Sequence, residues 1–301
     1  MGSAAEEIAE AQRDHPPVSA CPDLARIPTS DDDDLLYVGS ADAASNASLM
    51  EEHGIAAVIA LGTGALAPPP VETLCIDILD MEEAFIMEHF DMCLHFLHEH
   101  IRRKKRPTLV HCVYGQSRSA TICVAFIMQS ERLSLRASYA RVQAARPCIH
   151  INPGFLGQLE LFDAMQCQLQ GASSAHATFR TRRVYERRVR DRVVSLALPE
   201  PSNAPTSKKI FCKKCNLHLC GYDNVVAHNH KSHAPPTSCG SLFLEPLPWM
   251  QGTQGDADQG KLTCPRCNSK LGLFNWFGIK CSQGTFCQPA FQLSIARIDS
   301  R

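Results

Sequence analysis

The 301 residues contain no apolar run long enough to cross a bilayer, and no secretory leader pattern precedes the first cysteine. These absences set aside a membrane-spanning protein and weaken the disulfide framework that 15 cysteines would imply in a secreted chain. Net charge is almost lacking too, at −1. Neither Cys-x-x-Cys pair of the second half sits in a thioredoxin-like βαβ pattern, which argues against a redox couple. Cysteines without disulfide or redox duty are expected to serve as a nucleophile or as metal ligands in a reducing compartment.

The missing net charge is a cancellation. Residues 1–170 hold 12 Lys and Arg against 23 Asp and Glu, a net of −11, while residues 171–301 hold 18 against 8, a net of +10. A chain of this length predicts more than one domain. The seam is marked by a Gly/Ser/Ala patch, an arginine-rich stretch from Arg180 to Arg192, and Pro199-Glu-Pro-Ser-Asn-Ala-Pro205. Four regions are therefore expected: an acidic, mobile leader over 1–32, a catalytic domain over 33–170, a basic connector over 171–207 and a metal-binding domain over 208–301.

The chemistry centres on His111-Cys-Val-Tyr-Gly-Gln-Ser-Arg-Ser119. The β-prone Leu109-Val110 precedes it and a helical stretch from Ser119 to Gln129 follows, so the segment reads as a strand, a tight loop and a helix start. Unpaired N–H groups from Val113, Tyr114, Gly115, Gln116, Ser117 and Arg118 are then expected to converge on one tetrahedral anion, with the positive end of the helix dipole behind them. The same field favours a thiolate at Cys112, aimed at phosphorus. Arg118 supplies a planar fork for two phosphate oxygens, and Gly115 permits the tight backbone turn. His111 is expected to order the loop and tune the thiol.

A leaving alkoxide or phenoxide needs a proton donor. Leu74-Cys-Ile-Asp-Ile-Leu-Asp80 is an apolar strand ending in acids; Asp80 leads, with Asp77, Glu82 and Glu83 as competitors. The remaining pattern predicts strands over 35–39, 55–61 and 71–78. Helices are expected over 44–53, 85–103, 134–145 and 155–165. This alternation gives an α/β domain with its loop at the carboxyl end of a strand.

The His-Cys-x5-Arg-Ser loop resembles the active-site loop of cysteine-dependent protein phosphatases. The strand, acid loop and helix near Asp80, together with Ala125-Phe-Ile-Met128, Arg146-Pro147 and Gly154-Phe-Leu-Gly-Gln-Leu159, resemble the dual-specificity branch of that family. The resemblance implies a cysteine-phosphatase fold, with a central sheet flanked by helices. It also implies a phosphoprotein substrate carrying phosphotyrosine or phosphoserine/phosphothreonine, and a cysteinyl-phosphate intermediate formed without metal. In that scheme Asp80 is the general acid and Ser119 helps the thiolate leave in the second step. Asn152 precedes Pro153, whereas many relatives have the proline first, a departure expected to concern packing. The short loops over 62–70 point to a shallow pocket.

Cys212-Lys-Lys-Cys215 and Cys264-Pro-Arg-Cys267 read as two zinc knuckles, since two intervening residues let both thiolates bind one tetrahedral Zn²⁺. Two such pairs in about a hundred residues with little room for a core point to structural zinc. Cys239 to Met250, Gly260 to Cys267, Lys270 to Trp276 and Pro289 to Gln292 resemble the zinc-binding tail of the dual-specificity phosphatase 12 subfamily. Carried over by position, the resemblance implies Cys212, Cys215, His228, Cys239, Cys264, Cys267 and Cys281 as ligands. Gln283 stands where relatives have a further cysteine, which leaves Cys287 as a substitute ligand. The knuckles either share one ion, the preferred arrangement, or pair sequentially with the other ligands. The resemblance also implies pre-60S ribosomal particles or rRNA as partners of the basic half, with residence in cytoplasm and nucleus. Phe274 and Trp276 are read as core residues in preference to base-stacking groups.

Overall fold

The computed structural model describes the chain except residues 1, 15, 31–33, 65–70, 191–197, 205–206, 229–238, 254 and 256. Its contacts divide it into two units, Met1–Leu169 and Gln170–Arg301. Among the described residues no helix is long and apolar enough to cross a membrane.

The acidic leader contains a helix and a strand. Helix α1 (Ala4–Ala11) opens with a capping box: Ser3 Oγ accepts from Glu6 N while the Glu6 carboxylate accepts from Ser3 N. Its acids Glu6, Glu7 and Glu10 are exposed, and Ile8 is buried. Just beyond, the buried Gln12 side chain donates to Ile151 O at 3.0 Å and accepts from Ile151 N at 2.7 Å. Strand β1 (Leu24–Ile27) then pairs antiparallel with β2 (Leu36–Gly39). Few apolar residues are needed, because each is seated on the core while the charges face water; composition over the whole leader conceals that division.

After β2 come α2 (Ala41–Ser45), α3 (Ala47–Glu52), β3 (Ala57–Leu61) and β4 (Glu72–Ile76). The single helix expected over 44–53 is broken at Asn46, which ends α2 and caps α3 by accepting from Leu49 N at 3.1 Å. The long helix expected over 85–103 is a 3-10 turn (Ile86–His89), α4 (Phe90–Leu97) and a π turn (His98–Arg103). Strand β5 (Thr108–His111), α5 (Arg118–Glu131), α6 (Leu135–Ala145) and α7 (Pro153–Ala164) complete the unit.

The sheet order is β1-β2-β5-β3-β4, with β2, β5, β3 and β4 parallel. Alternation along the strands sends Val58, Ala60 and Leu109 to one face, where they meet Ala43, Ala44 and Met50 of α2 and α3. Helix α5 is buried from Arg118 to Met128, as an apolar helix inside a unit must be. β5 lies at the centre of the sheet, so its carboxyl end opens a crevice between neighbouring strand ends.

In the second unit the basic stretch expected as a connector is largely α8 (Ser174–Arg190). Arg180 makes a two-point ion pair with fully buried Glu245, at 2.7 and 2.8 Å. Arg188 donates to Gly255 O at 2.6 Å and lies 4.6 Å over the Trp276 ring. Arginines expected in a connector thus fasten a helix within the unit. Beyond them lie β6 (Lys209–Cys212), β7 (His218–Gly221), β8 (Ser241–Phe243), β9 (Gln259–Thr263) and β10 (Lys270–Asn275). Last come β11 (Ile279–Lys280), β12 (Phe286–Cys287), β13 (Ala290–Ser294) and β14 (Ile298–Ser300). They form sheets β14-β6-β7 and β8-β13-β10-β9 and the pair β11-β12. Phe274 and Trp276 are buried in this core, beside Phe291.

Candidate active site and metal centres

Five successive carbonyls of the loop after β5 are engaged away from its centre. Val113 O accepts from Ala41 N at 3.0 Å, and Gln116 O accepts from His150 N at 3.1 Å. Tyr114 O and Gly115 O each accept from the Arg146 guanidinium at 3.0 Å, and Ser117 O accepts from Thr121 N and Oγ1, both at 2.8 Å. Among the described residues the N–H groups from Val113 to Ser117 find no protein acceptor. A peptide whose carbonyl is tied back presents its N–H to the opposite side, so the loop is a nest built for an anion. Gly115 is required: its φ is +68°, and a Cβ there would run into the Gly39 carbonyl.

Cys112 lies at the floor of that nest, 2% exposed, with Sγ 3.3 Å from Ser119 Oγ. Arg118 is buried and held by Nη1, which donates to Leu61 O at 3.2 Å and Ile78 O at 3.1 Å. Gly62, at φ +68°, leaves room for it; a Cβ would collide with both Nη1 and Ile78 O. Among the described residues Arg118 Nε makes no hydrogen bond, and it pairs with Asp80 Oδ2 at 3.5 Å. A buried guanidinium whose Nε has an ion-pair partner but no close hydrogen bond keeps a donor available to an anion in the site.

Asp80, Cys112, Tyr114, Gln116, Ser117, Arg118, His150 and Asn152 line one open cavity of about 290 Å³. Asp80 reaches it where Asp77, Glu82 and Glu83 do not. Its Oδ1 accepts from Ser117 Oγ and Asn152 Nδ2, both at 2.7 Å. Asn152, set aside as a packing matter in the sequence, is thus part of the site. Arg146, noticed only as part of a motif, braces the loop. His111 lies behind the loop, fully buried, where burial pushes its imidazole down to about 4, with a small opposing effect of the Cys112 backbone. It is neutral at pH 7. The segment 65–70 that prompted the expectation of a shallow pocket falls outside the described residues.

The second unit brings its cysteines together in two groups. Cys212, Cys215, Cys264 and Cys267 place their sulfurs within 4.8 Å of one another. Cys212–Cys267 and Cys215–Cys264 are 3.8 and 3.5 Å apart. Four thiolates about 2.3 Å from a tetrahedral ion lie about 3.8 Å from one another, so the group fits a metal. The two knuckles are built alike. Each follows a strand, and left-handed Asn216 and Asn268 (φ +58° and +54°) donate to Cys212 O and Cys264 O at 2.8 and 2.9 Å.

His228, Cys239 and Cys281 form the second group, with His228 Nε2 3.5 Å from Cys239 Sγ. Cys287 is not in it, contrary to its candidacy as a substitute ligand: β11-β12 pairing places it opposite Ile279, packed beside the group. Gln283 donates its backbone N–H to Cys281 Sγ at 3.3 Å. His230 and His233, neighbours in the sequence, lie outside the described residues.

Residues 36–165 match the family model described as "Dual specificity phosphatase, catalytic domain". The chain is 31% identical over 293 residues to human "Dual specificity protein phosphatase 12", covering 88% of this chain and 86% of that one. The mouse protein of the same name is 30% identical over 292 residues, with the same coverage. "Tyrosine-protein phosphatase yvh1" of Schizosaccharomyces pombe is 30% identical over 244 residues, covering 78% of this chain and 73% of the other. The chain belongs to the dual specificity phosphatases. Membership accounts for the α/β fold around the loop, and because these relatives extend over the second unit, it takes in the cysteine-rich region as well. As a dual specificity phosphatase the chain is a protein-tyrosine/serine/threonine phosphatase, and its second unit holds a cysteine group able to bind a metal ion.

Proposed function

We propose that this phosphatase works through a cysteinyl-phosphate intermediate. The convergence of Cys112, Arg118, Ser119 and Asp80 on one nest of free N–H groups carries the reading. In the first step Cys112 Sγ attacks phosphorus, the bond to the ester oxygen breaks, and Asp80 gives that oxygen its proton. In the second step water attacks the phosphoenzyme, Asp80 takes the water's proton, and the S–P bond breaks. Ser119 Oγ stabilises the departing thiolate. The loop N–H groups and Arg118 stabilise the charge on the equatorial oxygens, the largest contribution to the rate. Hydrolysis of phosphotyrosine and phosphothreonine peptides by wild type, Cys112→Ser and Asp80→Asn tests it. Phosphopeptide turnover by Cys112→Ser would refute it.

The second unit, by the same proposal, carries structural Zn²⁺ and directs the enzyme to pre-60S ribosomal particles, placing it in both nucleus and cytoplasm. Support comes from the tetrahedral fit of the four knuckle sulfurs and from a net of +10, with Lys208, Lys213 and Lys214 exposed. Zinc supplies no chemistry to the phosphoryl transfer; it holds the knuckles together. A second reading makes the unit an assembly factor whose phosphatase activity is dispensable. Complementation of a loss-of-function strain separates the two. Rescue by Cys112→Ser but not by a Cys212→Ser/Cys264→Ser variant favours the assembly role. Absence of the chain from pre-60S gradient fractions refutes the ribosomal targeting.

A further inference from the structure

One side chain of the leader reaches the segment that braces the phosphate-binding loop. Gln12, 1% exposed, directly follows α1, which packs against α6 and α7. Its Nε2 donates to Ile151 O at 3.0 Å, and its Oε1 accepts from Ile151 N at 2.7 Å. A primary amide offers the same donor and acceptor as a peptide group, so Gln12 pairs with Ile151 as a neighbouring strand would. Ile151 is fully buried, and among the described residues its backbone groups have no other hydrogen-bond partner. Tyr139 Oη, from α6, donates to the same Gln12 oxygen at 3.1 Å.

The segment 146–152 that Gln12 grips on one side holds the phosphate-binding loop on the other. His150 N donates to Gln116 O at 3.1 Å, and Gln116 Nε2 donates to Cys148 O at 2.8 Å. Arg146 holds the carbonyls of Tyr114 and Gly115, each at 3.0 Å, and meets the leader a second time at Pro22 O. The amides of the nest stay aimed inward only while those carbonyls are tied back. We propose that Gln12 is a positioning residue: by fixing Ile151 it keeps 146–152 seated on the loop and the nest ready for phosphate before substrate arrives. The leader is thereby a working part of the active site. This rests on the reading that the nest holds the phosphoryl group.

Gln12→Leu keeps most of the side chain's bulk and removes both bonds to Ile151. With the nest then competent in about one molecule in ten, orthovanadate should bind about 10-fold more weakly, and KM for a phosphotyrosine peptide should rise about 10-fold. The maximal rate should hold within about 2-fold, because saturating substrate selects the competent loop. A merely structural loss gives the opposite split: an inactive fraction lowers the apparent kcat and leaves KM alone. Tyr139→Phe removes a buried hydrogen bond from the same amide but spares the Ile151 pair, so it should lower the unfolding midpoint without moving KM. Ile8→Ser, which strips the buried anchor of α1, should reproduce the KM shift, so the test stands even if Gln12→Leu fails to fold. Wild-type KM and vanadate affinity in either variant, a loss confined to kcat, or an equal shift in Tyr139→Phe would each overturn the proposal. Failure of the wild type itself to bind orthovanadate would remove the reading beneath it, a result separate from failure of the leader's hold.

Discussion

Arg146 Nε donates to Gly115 O at 3.0 Å, joining the chain after α6 to the tightest point of the phosphate-binding loop. The same guanidinium holds Tyr114 O at 3.0 Å and also bonds to Pro22 O. One planar group thus fixes two loop carbonyls and the segment before β1.

Arg146→Lys should therefore behave almost like Arg146→Ala, because an ammonium cannot serve three carbonyls in one plane. A destabilisation of about 3 kcal/mol is expected from the unpaired buried carbonyls. Orthovanadate affinity should fall in parallel. Thermal unfolding and vanadate inhibition on the same samples check both; a lysine variant with wild-type vanadate affinity would contradict the bracing role.

Ser119→Ala removes the hydroxyl 3.3 Å from the thiol. Attack by Cys112 should be little affected, whereas breakdown of the phosphoenzyme should slow by about 100-fold, the low end of single hydrogen-bond and proton-transfer effects. Rapid-quench kinetics should then show a burst of released phenol followed by a slow steady state. A variant that slows the burst as much as the steady state would exclude the assignment.

His111 is buried and neutral, its imidazole pushed to about 4 from an ordinary 6.5. The unfolded chain binds a proton below 6.5 that the folded chain refuses until about 4. Its contribution is therefore present in full above pH 6.5 and lost as pH falls from 6.5 toward 4. The loss is of order 3 kcal/mol. Denaturant melts across that interval should show a slope that His111→Asn flattens; an unchanged slope would mean that the imidazole is not what responds to pH.

Metal removal should act unequally on the two cysteine groups. The four-sulfur group offers complete tetrahedral coordination, and its ion should resist mild chelation, in line with the roughly 10 kcal/mol typical of such sites. Among the described residues the group of His228, Cys239 and Cys281 brings three ligands, and it should release its ion first. Metal analysis during stepwise chelation measures the order. Cys264→Ser should unfold the second unit, and Cys287→Ser should leave the metal content unchanged.

The loop was legible because it is contiguous: nine residues in a row carry the thiol, the amides, the guanidinium and the hydroxyl, and a strand-to-helix turn brings them together. The knuckles were legible for the same reason, as local turns with fixed spacing. Asn152 was discounted and Arg146 passed over because they act on residues 72 and about 31 positions away. Nothing local distinguishes an asparagine that caps a helix from one that also donates to a distant carboxylate such as Asp80. The folded leader and α8 escaped because composition averages over a segment, whereas burial is decided one side chain at a time, as with Ile8 among exposed glutamates and Arg180 against Glu245.

By itself the sequence determined the contiguous loop and the paired knuckles, since thiol, guanidinium and their short-range spacing are properties of local sequence. Only the tertiary structure decided which acid shares a cavity with the thiol, and which cysteines lie close enough together to hold one ion. Those outcomes depend on distances between chain segments far apart in the sequence, and such distances are set by packing of the whole unit, which local patterning does not encode.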